Sequence, residues 1–190
     1  VTDDCGNQIL LTQTFTIDDN INPTASNPAP ITVQCIGDVP AADVAVVTDE
    51  VDNCSVPVVQ FVNEVSNGNT CPEIITRTYS VTDACMNQIL VTQMITINDV
   101  TPPTASSPAP ITEECIGDVP APDVNIITDE ADNCTGPITV AHVGDVSNGG
   151  SCPEIITRTY SVTDACMNQI LVTQTITIND VTSPTASNPA

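Results

Sequence analysis

Residues 71–93 read CPEIITRTYSVTDACMNQILVTQ, and the same string returns unchanged at 152–174. Its first half alternates. Ile75, Arg77, Tyr79 and Val81 fall in one row, and Thr76, Thr78 and Ser80 fall in the other. That is the period of a half-buried β-strand with the first row facing the core. After the turn VTDAC-x-N a second β-branched run begins. Val, Ile and Thr suit a pleated surface better than a helical one, whereas Leu occurs four times and Lys never, so the chain reads as all-β. Turn-rich punctuation around this string predicts strands at 30–35, 44–48, 56–62, 73–82 and 89–98, with further short strands in 36–43 and 63–70.

Working outward, the whole chain repeats. PTAS begins at Pro23, Pro103 and Pro184, and Asp-Asn-Cys ends at Cys54 and Cys134, with offsets of 80 and 81 residues. A fixed period defines the unit that must fold. Residues 1–22 match the C-terminal part of a repeat, 23–101 and 102–182 are two whole repeats, and 183–190 match the first strand of another. The change from 80 to 81 falls between Val58 and Glu64, which predicts an insertion late in a strand or in the turn after it. Short strands at this spacing in about eighty residues predict tandem β-sandwich repeats of immunoglobulin-like type.

The 190 residues carry 24 acidic and 2 basic side chains, a formal net charge of −22. A polyphosphate would be repelled by almost every surface, which argues against nucleic acid as a partner. No run approaches the roughly 18 apolar residues that cross a bilayer, so no membrane span is expected in this segment. Val, Ile, Leu and Phe still exceed a quarter of the residues, enough for folded cores.

Each whole repeat has four cysteines: Cys35, Cys54, Cys71 and Cys85, then Cys115, Cys134, Cys152 and Cys166. No CxxC pair suggests zinc, and matched cysteines without one read as disulfides made in an oxidising compartment. If the strands alternate up and down, Cys35 and Cys71 lie at one pole and Cys54 and Cys85 at the other. A Cys71–Cys85 bond would have to span a strand of about 30 Å, against a Cα separation of about 6 Å for a disulfide. The expected pairs are therefore Cys35–Cys71, Cys54–Cys85, Cys115–Cys152 and Cys134–Cys166. Cys5, the fourth cysteine of its repeat, is expected to bond upstream.

Acidic loops should gather where one repeat hands over to the next. Asp18, Asp19, Asp49, Glu50, Asp52 and Asp83 form one such group, and Asp99, Asp129, Glu130, Asp132 and Asp164 form the other. Calcium takes six to eight oxygen ligands and is the one cofactor these groups suggest; solvated turn residues are the plainer reading. Arg77 and Arg158, the only basic side chains, sit on the inward row and are expected to pack against Tyr79 and Tyr160 and to pair with a nearby acid, because an unpaired buried charge is costly. His142 is the only histidine and lies where the repeats differ. No nucleophile and base recur together, so no enzymatic activity is expected. The linkers TIDDNINPTASNPAP and TINDVTPPTASSPAP are rich in proline and almost free of glycine, which predicts stiff junctions and a rod.

The strings DNC, IITRTYSVTDAC-x-N and QTITIND-x-T-x-PTAS resemble the HYR-type, immunoglobulin-like repeats of giant Bacteroidota cell-surface proteins, including gliding-motility adhesins. The resemblance implies an extracellular stalk or filament that carries adhesive contact away from the cell. Many relatives have Gly after the last cysteine, as Gly6 does, where Met86 and Met167 stand in the two whole repeats, so a glycine-only conformation is not expected in every copy. Many also carry a cysteine where this chain has Val91 and Val172, so the family's pairings do not transfer directly. The expected partners are neighbouring repeats of the same chain, end to end. Lateral self-assembly is a second possibility, and avidity for surface glycans through repeated loops is the alternative function.

Overall fold

The computed structural model describes residues 1–187, and among these eight strands form and no α-helix does. β1 (Ile31–Val33), β2 (Val58–Ser66), β3 (Glu73–Thr82) and β4 (Gln88–Ile97) make one sheet in the order β1-β4-β3-β2. β5 (Ile111–Glu113), β6 (Thr139–Ser147), β7 (Glu154–Thr163) and β8 (Gln169–Ile178) make a second sheet in the corresponding order, β5-β8-β7-β6. The protein is all-β, as the alternation in 73–82 requires. β1 runs parallel to β4, with Ile31 opposite Ile95, and β5 runs parallel to β8, with Ile111 opposite Ile176. β7 is antiparallel to both of its neighbours.

Three expectations change. The run 44–48 is not a strand: Val44–Val46 forms a 3-10 turn, as does Val124–Ile126. The Asp43 carboxylate accepts from Ala45 N, and Asp123 accepts from Asn125 N, which closes each turn before a ladder can start. Val47 and Ile127 still reach the core. The stretch 36–43 holds a 3-10 turn at Ile36–Asp38 in place of a strand, and β2 absorbs the first part of 63–70. In 183–190, residues 183–187 form no strand and 188–190 lie outside the described residues.

The insertion also moves. β2 and β6 are offset by 81 residues at both ends, and Phe61 and His142 stand edge-on to Tyr79 and Tyr160 at centroid distances of 6.2 and 5.8 Å. Pro57 and Pro137 are 80 apart. The extra residue is thus Ile138, ahead of the strand rather than late in it. It is tolerated there because its side chain packs against the apolar cluster around Tyr160.

In the second sheet the inward rows of β7 and β8 meet in register: Ile156 opposite Ile176, Arg158 opposite Gln174, Tyr160 opposite Val172, Val162 opposite Ile170. Arg158 and Gln174 are buried, so a polar rung separates the cluster of Ile127, Tyr160, Val162 and Val172 from that of Ile156, Ile176 and Ile178. The rung is satisfied locally. Arg158 donates to Asp145 at 2.9 Å and to Pro120 O at 2.9 Å, and Gln174 donates to Ala109 O at 3.0 Å. Arg77 likewise donates to Glu64 at 2.9 Å, and Gln93 to Ala29 O at 3.0 Å.

The chain divides into two compact units that do not follow the sequence boundaries at 22/23 and 101/102. One comprises Val1–Ala29, Ala42–Glu64 and Arg77–Gln93, and the other comprises Pro30–Ala41, Val65–Thr76 and Met94 onward. The cluster of Val47, Tyr79, Val81 and Val91 belongs to the first unit, and that of Ile75, Ile95 and Ile97 to the second.

The β3–β4 turn departs from one expectation in an informative way. Met86 and Met167 have φ of 71° and 69°, in the same left-handed region as Gly6 at 85°. The turn imposes that conformation in every copy, and two copies meet it with a side chain that disfavours it. Met86→Gly and Met167→Gly are each expected to raise the unfolding free energy by about 0.5–1 kcal/mol, read from denaturant midpoints at unchanged slope.

Candidate functional site

The site is built on the turn Asp164–Asn168 of the second repeat. One carboxylate oxygen of Asp164 accepts from Cys166 N and Asn168 N, both at 2.8 Å, and the other accepts from the Asn168 side chain at 2.9 Å. Asn168 also donates to Asp99 O at 3.1 Å and so holds the linker that leaves β4. The linker is fastened further along. Thr104 and Ala131 exchange backbone bonds of 2.7 and 2.9 Å, Ser106 N donates to Asp129 at 3.0 Å, and Pro103 is fully buried. Asp132 accepts from Cys134 N at 3.0 Å and orients the second cysteine of the face.

Against this face stands the pole of the first repeat, with Cys35 at the start of its 3-10 turn and Cys71 ahead of β3. The bonds cross between repeats: Cys35–Cys134 at a Cα separation of 5.1 Å and Cys71–Cys166 at 5.4 Å. This corrects the expected pairs Cys35–Cys71 and Cys134–Cys166. Cys54 and Cys85 are free thiols, as are Cys115 and Cys152, so the expected bonds Cys54–Cys85 and Cys115–Cys152 are absent too; Cys5 is also free. The count of two cysteines at each pole is compatible with either arrangement. What decides is reach: the linker clamp brings Cys134 and Cys166 of the next repeat within bonding distance of Cys35 and Cys71. Two cysteines at each of two poles, joined by a proline-rich linker, was the signal in the sequence that pointed this way.

The same clamp recurs in the first unit around Asp19. Asn87 donates to Asp19 O at 3.0 Å, Thr24 and Val51 exchange backbone bonds of 2.8 and 2.9 Å, and Ser26 N donates to Asp49 at 3.0 Å.

Among the acids named as cation ligands, Asp19, Asp52 and Asp83 bring carboxylate oxygens within 4.8 Å of one another. Asp99 and Asp132 are gathered only with Cys134, whose sulfur is committed to the disulfide. Asp49 and Asp129 are engaged by Ser26 and Ser106, Asp164 by its own turn, and Asp18 is exposed. Glu50 and Glu130 are half-buried and join neither group. Most of these acids hold a backbone N–H group through one carboxylate oxygen or both, the role of turn residues.

A recess of about 180 Å³ at the disulfide joint is lined by Cys35, Cys71, Asp99, Asp132, Cys134 and Cys166 among others, with no basic residue in its wall. His142 lies elsewhere, on β6, 2.9 Å from Asp145. Tyr79 and Tyr160 are wholly buried and offer no platform to a sugar ring. Among the described residues no helix is long and apolar enough to cross a membrane. No protein-family model matches the chain, and no curated protein matches it by sequence.

Peptide mapping under non-reducing conditions is expected to recover Cys35 joined to Cys134 and Cys71 joined to Cys166; recovery of Cys35–Cys71 would contradict the geometry. A second expectation concerns acid. The Ser26 and Ser106 hydroxyl and N–H groups hold the Asp49 and Asp129 carboxyls below their ordinary value of 3.8. A depressed folded-state pKa contributes stability above 3.8 that is lost as pH falls through the folded value. Stability should therefore drop below about pH 4, and Asp49→Asn with Asp129→Asn should flatten that drop in denaturant titrations run at several pH values.

Proposed function

We propose that this chain is a structural segment of an extracellular stalk or filament of a bacterial cell-surface adhesin, serving attachment or gliding. In this reading immunoglobulin-like repeats follow one another end to end as a rod and perform no catalysis. The observation that carries it is that both disulfides join one sequence repeat to the next. A bond within a repeat braces a bead, whereas a bond between repeats braces the joint against opening under tension.

The energetics point the same way. A cross-link closing a loop of about 100 residues stabilises on the order of 4–5 kcal/mol in the chain-entropy model. Here the two bonds span 99 and 95 residues. Disulfides persist in oxidising surroundings, which fits an exterior location. The net charge of −22 keeps neighbouring fibres apart, and the resemblance to HYR-type repeats agrees with such a role.

Single-molecule stretching tests this reading. With its disulfides intact, the chain cannot extend through the 99 residues that Cys35–Cys134 bridges. Reduction is expected to lengthen the fully stretched molecule by about 330 Å, at ~3.4 Å per residue, and to lower the unfolding force. Equal lengths and forces before and after reduction would remove the mechanical role.

A further inference from the structure

The four unbonded cysteines of the two whole repeats are not a random remainder. Cys54 and Cys85 occupy the repeat positions of Cys134 and Cys166, and Cys115 and Cys152 occupy those of Cys35 and Cys71. We propose that the face carrying Cys54 and Cys85 and the face carrying Cys115 and Cys152 are the two halves of one covalent joint. Each takes a further copy of this repeat through two disulfides.

Both faces already have the form of their bonded counterparts. Around Cys54 and Cys85, Asp52 accepts from Cys54 N at 2.9 Å and Asp83 accepts from Cys85 N at 2.8 Å. Around Cys134 and Cys166 the equivalent bonds are 3.0 and 2.8 Å. Asn53 lies 2.9 Å from the Cys54 sulfur and 3.5 Å from Asp19, where Asn133 lies 3.1 Å from the Cys134 sulfur and 3.4 Å from Asp99. The receiving face is therefore set before any partner arrives. On the other half, Cys115 opens the 3-10 turn Ile116–Asp118 as Cys35 opens Ile36–Asp38. Asn179 N donates to Glu113 O at 2.9 Å, as Asn98 N donates to Val33 O at 3.0 Å. Thr182 reaches across to Glu114 as Thr101 does to Gln34.

In each bond two thiols lose two protons and two electrons, and one S–S bond forms. The electrons pass to a small-molecule disulfide such as oxidised glutathione, which leaves as two thiols. Partial desolvation, with Asp19 beside it, pushes the Cys54 thiol above its ordinary range. This joint would serve a stalk, an adhesive array or a lateral assembly alike, and does not depend on which of these the protein builds.

The test compares the 190-residue chain with one continued past Ser183 by another copy of residues 103–182, both oxidised in a glutathione buffer at a dilution where separate chains do not meet, and mapped after alkylation of residual thiols. The unextended chain, in which the Cys35–Cys134 and Cys71–Cys166 joint forms, sets the buffer. In the extended chain Cys115 is expected to bond to the copied Cys134, and Cys152 to the copied Cys166. In the unextended chain Cys115 and Cys152 should both be alkylated. A Cys115–Cys152 bond in either chain, or alkylated Cys115 and Cys152 in the extended one, would overturn the proposal. Cys54 and Cys85 give an independent reading: both are expected to be alkylated, and a Cys54–Cys85 bond in either chain would overturn it as well.

Discussion

The carboxylate of Asp164 holds three N–H donors, and the joint depends on that small cage. It orients Cys166 toward Cys71 and Asn168 toward the linker carbonyl at Asp99, so a single side chain sets both the covalent and the hydrogen-bonded parts of the handover. The cage forms within the second VTDACMNQ string, because Asp164 and Asn168 are only four residues apart. The left-handed backbone at Met167 lies inside it. Local hydrogen bonding thus outweighs an unfavourable backbone conformation, and the result is a rigid presentation of one cysteine.

The modest core explains why such a presentation matters. In the second sheet the buried apolar side chains fall into two small clusters with Arg158 and Gln174 between them. A repeat of about eighty residues buries a smaller share of its surface than a larger domain does, and a divided core leaves it little burial to spare. Cross-links from one copy to the next add stability that neither copy could gain by packing, and they do so where the acids are concentrated. Asp99 and Asp132 gather beside the Cys35–Cys134 bond. Mutual repulsion of the carboxylates at that point opposes association of the two faces, and a covalent bond holds against it at any ionic strength.

The buried arginine shows the same economy. Arg158 crosses the middle of the core because Asp145 meets its guanidinium and Pro120 takes a further N–H, so the charge is never left unpaired. The expectation that an inward-row arginine needs an acid nearby follows from desolvation cost alone. Which acid it is depends on the pairing of β6 with β7, which sets Asp145 opposite Arg158.

Read from the amino acids alone, the repeat, the all-β class and the inward row of β3 were available, because they rest on period and side-chain shape within a few neighbouring residues. The grouping of Cys35 with Cys71 followed as well, since strand direction assigns each cysteine to a pole. The 3-10 turn at Val44–Val46 was harder to see: an apolar β-branched run looks like a strand until the Asp43 carboxylate turns its first N–H groups away from a ladder. The pairing of the cysteines belonged to the tertiary structure. Strand direction says which sulfurs share a pole, but a disulfide requires a Cα separation of about 5–6 Å. Only the clamp of Asp99, Thr104 and Ser106 onto the second repeat determines which sulfurs are brought that close.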